Sequence, residues 1–186
     1  KLEFKTWLTE LDRTPKATSD NDEPPADEAP AEAIEVDYET VLDKAQFDAW
    51  LKKLEAADVF AFDTETTSIN YMQAELVGLS SAVEAGNAAY VPVAHDYEGA
   101  PEQLDRNWVL EQLKPLLEDD SKAKIGQHLK YDANVLANYG IALRGIQFDT
   151  MMESYVLNST GTRHDMDSLS SKFLGHTTVH FEDIAG

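Results

Sequence analysis

The spacing of apolar residues changes several times along the chain, and each change predicts an element. Phe47, Trp50, Leu51 and Leu54 recur at helical spacing between Lys44 and Ala56, so that stretch reads as an amphipathic helix with one face on a core. Val59-Phe60-Ala61-Phe62 follows, β-branched and aromatic and too short for a helix, so it reads as a buried strand. It runs straight into Asp63-Thr64-Glu65-Thr66. Leu76 to Val83 and Ala88 to Val93 read as two more strands around the turn residues Glu84-Ala85-Gly86-Asn87. Pro92 donates no backbone hydrogen bond, which places the second of these strands at a sheet edge.

Beyond Val93 short strands alternate with helices. Asn107 to Glu118 reads as a helix, Ala123 to Gly126 as a strand, and Asp132 to Tyr139 as a helix ending at Gly140. Ile146 to Phe148 is a further short strand, and Thr150 to Asn158 and Asp167 to Leu174 are helices, the last stopped by Gly175. Three meandering strands followed by this alternation predict an α/β fold: a mixed five-stranded sheet flanked by helices on both faces, with the acidic strand at its centre. The globular pattern spans residues 34–186, with no internal repeat. Ahead of it, Leu2, Phe4, Trp7, Leu8 and Leu11 lie largely on one helical face within residues 1–13, which read as the last helix of a preceding domain. Residues 14–33 are rich in Pro, Ala, Ser and acids without apolar periodicity, and read as a disordered, charge-extended linker.

Composition narrows the chemistry. The 186 residues contain no cysteine, which excludes disulfides, thiolate zinc sites and cysteine nucleophiles and is compatible with a reducing, cytoplasmic setting. No apolar run approaches the ~18 residues of a membrane span, and no signal peptide opens the chain. The first residue is Lys1, which suggests a piece of a longer protein. A net charge of −20 argues against a broad phosphate-binding surface. Nine of the acids fall between Asp20 and Glu39, a stretch without Lys or Arg, so the remainder carries only −11. A narrow site whose bound cations supply the positive charge stays compatible with that figure.

Asp63 and Glu65 are the first candidates for such a site. Side chains alternate along a strand, so the two carboxylates project the same way, roughly 6.5–7 Å apart along the chain. Like charges at the end of a hydrophobic strand repel and lose hydration, and hard oxygen ligands suit Mg²⁺ or Mn²⁺. A strand running out into a polar loop explains the same acids without a metal. Ile125-Gly126-Gln127-His128-Leu129-Lys130-Tyr131-Asp132 places a third acid near a helix start, after a strand and a turn. Helix capping accounts for Asp132 if it stands alone; beside the central strand, it can be aimed at the other two acids. His176 and His180 make a poor zinc pair, because Thr177-Thr178-Val179 favours an extended chain that separates them by ~13 Å. The chain has no Gly-rich phosphate loop.

Phe62-Asp63-Thr64-Glu65-Thr66 together with Lys130-Tyr131-Asp132 resembles the first two motifs of the proofreading nucleases with a ribonuclease-H-like fold. Arg163-His164-Asp165-Met166-Asp167-Ser168-Leu169 and Phe181-Glu182-Asp183-Ile184-Ala185-Gly186 narrow the likeness to the 3′→5′ exonuclease domain of bacterial DNA polymerase I. The resemblance runs from about Ile34 to Gly186, and residues 1–13 resemble the close of that polymerase's 5′-nuclease domain.

The resemblance implies phosphodiester hydrolysis at a single-stranded DNA 3′ end with two divalent ions, by a monomer that shares its chain with a polymerase domain. Asp63 would bridge both ions, Glu65 would bind the first, and Asp132 would hold the second directly or through water. Ile69 and Phe181 would pack on the terminal bases, and Gln127, Lys130, Tyr131 and Arg163 would reach phosphate or sugar. Thr66 and His128 would also face substrate, with His128 standing where the family usually has Asn. Ordinary core packing for Ile69 and Phe181, and a surface ion pair for Arg163, are the plainer readings. The family's third motif, a Tyr and an Asp four residues apart, is expected downstream of Gly186; Tyr155 and Ser159 have the spacing but lack the acid. Residues 1–186 alone are therefore expected to be weak or inactive. A catalytically silent polymerase scaffold and an RNA-trimming nuclease are the rival readings.

Overall fold

The structure, a computed structural model, describes residues 36–179. The expected helix at 1–13, the linker at 14–33, and Phe181 lie outside the described residues. Six strands form one sheet: β1 (Asp37–Thr40), β2 (Val59–Thr66), β3 (Leu76–Glu84), β4 (Asn87–Pro92), β5 (Ala123–Gly126) and β6 (Ile146–Asp149). Their order across the sheet is β1-β4-β3-β2-β5-β6. The meander β2–β3–β4 is antiparallel, while β5 runs parallel to β2 and β6 parallel to β5. The sheet is mixed, as expected, and its acidic strand β2 is interior.

The sixth strand corrects the expected count of five. Asp37–Thr40 pairs in parallel with β4, from Asp37 opposite Asn87 to Thr40 opposite Tyr90. Asp-Tyr-Glu-Thr offers little apolar signal because its side chains are mostly exposed at the sheet edge. β4 is thus not the edge strand that Pro92 suggested. Pro92 lies beyond the last residue paired with β1, so its missing N–H interrupts nothing there.

Five helices complete the described fold: α1 (Lys44–Ala56), α2 (Arg106–Leu117), α3 (Leu129–Ala137), α4 (Thr150–Leu157) and α5 (Met166–Leu174). Asp43 caps α1, its carboxylate accepting from the amides of Ala45 and Gln46 at 2.8 and 2.9 Å. Gln46 returns its side-chain oxygen to the amides of Leu42 and Asp43. This reciprocal capping satisfies amides that a helix start leaves unpaired. Phe47, Trp50 and Leu54 of α1 and Leu113, Leu116 and Leu117 of α2 cover one face of the sheet. Phe60, Phe62, Leu79 and Val91 meet them there, and Trp50 Nε1 donates to Ser81 Oγ at 2.8 Å. Each such fully buried aromatic or aliphatic side chain stabilises the fold by about 1.5–3 kcal/mol. Since Phe60, Phe62 and Thr64 face this core, Asp63 and Glu65 must face the other way.

Candidate active site

Along β2 Phe60, Phe62 and Thr64 are buried on one face, while toward its C-terminal end Asp63 and Glu65 emerge on the other. The ladder sets Asp63 opposite Ser80 and Glu65 opposite Gly78 on β3. Asp63 is partly buried and Glu65 is exposed.

The third acid arrives from α3. That helix opens at His128, whose φ of 61° is left-handed. A non-glycine residue pays about 1–2 kcal/mol for this conformation, so something must hold it. Asp149, at the end of β6, does so: its Oδ1 accepts from the His128 amide at 3.1 Å and its Oδ2 from the Leu129 amide at 2.9 Å. The same carboxylate caps α4 through the amides of Met151 and Met152 at 3.1 and 3.2 Å. This long-range cap starts α3 at Leu129 rather than at the expected Asp132. Asp132 is then in the first turn, where its charge suits the free amides of the helix start.

Asp132 is 1% exposed and leans onto β2. Its Oδ1 accepts from the Thr64 amide at 2.9 Å and from Thr64 Oγ1 at 2.6 Å. Burial pushes the Asp132 carboxyl above the usual carboxylate range, and the two Thr64 bonds pull it back. Asp63 is pushed up to about 7: burial contributes most, then the charge of Asp132, then that of Glu65, against partial relief from the Thr64 amide. Asp63 therefore feels the charge of both other carboxylates. The three do not form a closed cage, since among the described residues no three His, Asp or Glu side chains gather into one. Asp132 has one oxygen committed to Thr64 and Glu65 reaches into solvent, which accounts for the open arrangement. None of the three forms an ion pair with Lys or Arg among the described residues. Hard oxygen donors carrying uncompensated negative charge fit a divalent cation of the Mg²⁺ type.

The other candidates divide sharply. Ile69 is 97% exposed, so the core reading fails for it. Lys130 is exposed, and so is His128. Arg163 forms an ion pair with Asp165 at 3.2 Å, its side chain 88% exposed, as its plainer reading required. Gln127 turns inward: Nε2 donates to the His164 carbonyl at 2.8 Å and Oε1 accepts from Thr150 Oγ1 at 2.5 Å. Tyr131 Oη donates to the Ser68 carbonyl and lies 2.5 Å from Thr66 Oγ1. Gln127, Tyr131 and Thr66 thus brace the two loops that flank the acids. Sequence reasoning overlooked Thr64 and Asp149, because the partners that matter here, Asp132 for Thr64 and the His128 and Leu129 amides for Asp149, are distant in the chain and leave no local signal.

An interior strand thus ends in two acids, and a strand–turn–helix unit beside it brings a third to the same strand. A family model described as 3′-5′ exonuclease matches residues 38–186. The chain belongs to this 3′-5′ exonuclease family, in the form found in bacterial DNA polymerase I. It is 64% identical over 187 residues to DNA polymerase I of Pseudomonas aeruginosa, a match that covers 100% of this chain and 20% of the relative. The chain thus spans about a fifth of that relative's length. Among solved structures, Brucella melitensis NrnC with bound Mg²⁺ superposes with a TM-score of 0.57 at 20% identity, over 78% of this chain and 65% of that one. Escherichia coli RNase D, described as an exoribonuclease, gives 0.59 at 16% identity, over 80% of this chain and 36% of that one. At such identities these two neighbours share the fold. Among the described residues no helix is long and apolar enough to cross a membrane.

Proposed function

We propose that the chain is the metal-dependent 3′→5′ proofreading domain of a cytoplasmic DNA polymerase, hydrolysing the last phosphodiester at a single-stranded or frayed DNA 3′ end. One observation carries this reading: Asp63 lies at the open end of an interior strand with its pKa pushed up to about 7 by burial and by the charges of Asp132 and Glu65. Charge crowded in this way is a cost to the fold that a bound cation offsets. Asp63, Glu65 and Asp132 would hold two ions, Mg²⁺ or Mn²⁺. Such ions supply the acidity that ionises the attacking water and the charge that stabilises the leaving 3′-oxygen.

The protein's own residues prepare the ground. Thr64 holds Asp132 against β2 through two hydrogen bonds, limiting its rotation. Ile69 offers an exposed apolar contact to the terminal base, and Phe181 is assigned the same role; such stacking tolerates any sequence. Lys130 supplies a cation for phosphate, and Arg163 a second at the far loop, once released from Asp165. His128 presents its ring at the helix start that carries Asp132. Gln127, Tyr131 and Thr66 act through the loops they brace.

The test uses the full-length protein on a 3′-labelled DNA oligonucleotide with Mg²⁺, with chelator, and as Asp63→Ala. Nucleotide release that needs Mg²⁺ and falls at least ~100-fold in Asp63→Ala is expected. Release that survives either change sinks the reading. Absence of release in the folded wild type favours a silent scaffold, and preference for an RNA oligonucleotide favours RNA trimming.

A further inference from the structure

The sheet face that carries Asp63 and Glu65 holds one more polar pair. Tyr90 of β4 is paired with Ser80, itself paired with Asp63, so all three project to the same side. The Tyr90 ring leans along the strand and sets its hydroxyl over Gly78, where an added Cβ would lie 1.9 Å from Tyr90 Oη. Gly78 is the direct cross-strand partner of Glu65. Directly paired residues of antiparallel strands project to the same side with β-carbons ~4.5–5.5 Å apart. The phenol oxygen therefore takes the place of the side chain that would be Glu65's nearest neighbour. Glu65 is felt there, since its charge adds to burial in pushing Tyr90 up to about 12.

The hydroxyl is also anchored from behind. His95 Nε2 lies 2.5 Å from Tyr90 Oη. Gln103 clamps the His95 backbone, accepting from its amide at 2.8 Å and donating to its carbonyl at 2.7 Å. The Tyr97 ring stands edge-on to the His95 ring at 5.9 Å. By contrast, the Glu65 carboxylate takes part in no ion pair among the described residues.

We propose that Tyr90 is a positioning residue for Glu65: its hydroxyl, oriented by His95, donates to the Glu65 carboxylate directly or through one water and turns it toward Asp63. With His95 in the tautomer that carries its proton on Nε2, that N–H donates to the phenol oxygen and frees the phenol O–H for Glu65. The inference rests on the reading of Glu65 as a metal ligand. Partners of this outer kind typically govern ligand orientation, and their loss lowers metal affinity ~10–100-fold.

Mn²⁺ binding to the full-length protein, followed by electron paramagnetic resonance of the free ion, tests it. Wild type, Asp63→Ala, Glu65→Gln, Tyr90→Phe and the Tyr90→Phe/Glu65→Gln pair are compared, with near-ultraviolet circular dichroism as the folding control. Tyr90→Phe keeps the ring over Gly78 and removes only the hydroxyl; it is expected to weaken Mn²⁺ binding ~10-fold. In the Glu65→Gln background it should add nothing, which a general packing role would not predict. Wild-type affinity in Tyr90→Phe, or losses that multiply in the pair, overturn the proposal. Should Tyr90→Phe disturb the fold, His95→Gln, which leaves Tyr90 and Gly78 in place, must show the same loss and the same dependence on Glu65. Mn²⁺ binding that does not depend on Asp63 overturns both this inference and the metal-site reading beneath it; binding that depends on Asp63 but ignores Tyr90 and His95 overturns this inference alone.

Discussion

Thr64 gives both its backbone amide and its hydroxyl to a single oxygen of Asp132, a residue 68 positions further along the chain. The bond joins the acidic strand to the helix that supplies the third acid. Both partners are buried, so water cannot replace either donor. Removing the hydroxyl leaves Asp132 one donor from Thr64 instead of two, in a place where its charge is already unfavourable.

Thr64→Val keeps the shape and deletes that donor. A buried hydrogen bond to a charged group contributes about 1.5–3 kcal/mol, and the loss should appear as a lower denaturation midpoint with an unchanged slope. Exonuclease activity should fall as well, because Asp132 gains freedom to rotate. A Thr64→Val protein as stable as wild type would mean that the amide alone holds Asp132.

Asp63 predicts a pH dependence in metal-free buffer. Its folded-state pKa of about 7 lies above the value of an unfolded carboxylate, so the fold favours the protonated form. The sign follows: stability is greatest below the ordinary carboxylate value of 3.8, falls as pH rises to about 7 and levels off above it, so lowering pH from 8 to about 5 restores most of it. A rise of this size amounts to roughly 4 kcal/mol at most. Asp63→Asn should therefore melt higher than wild type at pH 8 without metal and show a flatter melting profile between pH 5 and 8. Mg²⁺ should raise the wild-type melting temperature at pH 8 and leave the variant nearly unmoved. An equal response of both proteins to pH and Mg²⁺ would place the charge strain elsewhere.

Asp149→Ala tests the cap shared by two helices. The substitution strands four amides, those of His128, Leu129, Met151 and Met152. Losing a single cap costs about 0.5–2 kcal/mol, and two helix starts depend on this residue. The left-handed His128 also loses the contact that keeps it in place. A drop of roughly 2–4 kcal/mol by chemical denaturation is expected, together with weakened exonuclease activity as α3 and Asp132 shift. A drop below ~1 kcal/mol would show that other contacts hold the two helix starts.

Local pattern alone determined the α/β class, the interior acidic strand and the acids themselves. Val59 to Thr66 is a strand in the structure as it is in the sequence, because a short β-branched and aromatic run has one good use in a sheet. Lys44 to Ala56 behaves the same way, since its apolar spacing and its Asp43–Gln46 cap are all local. What failed to show in the sequence depends on partners far away. β1 exists because β4 offers it an edge; its own residues carry little apolar signal. α3 begins at Leu129 because Asp149, 20 residues later, pays for a left-handed His128.

The site divides along the same line. Strand alternation put Asp63 and Glu65 on one side, and the motif likeness pointed to Asp132. Only the folded sheet could show that Thr64, facing the core, grips Asp132, that Gln127 and Tyr131 brace loops, or that Tyr90 leans over Gly78 toward Glu65. A residue's secondary structure follows from neighbours within a few positions, so the sequence carries it openly. Which carboxylate is held, strained or left free follows from residues brought together across the sheet, and that is settled by packing.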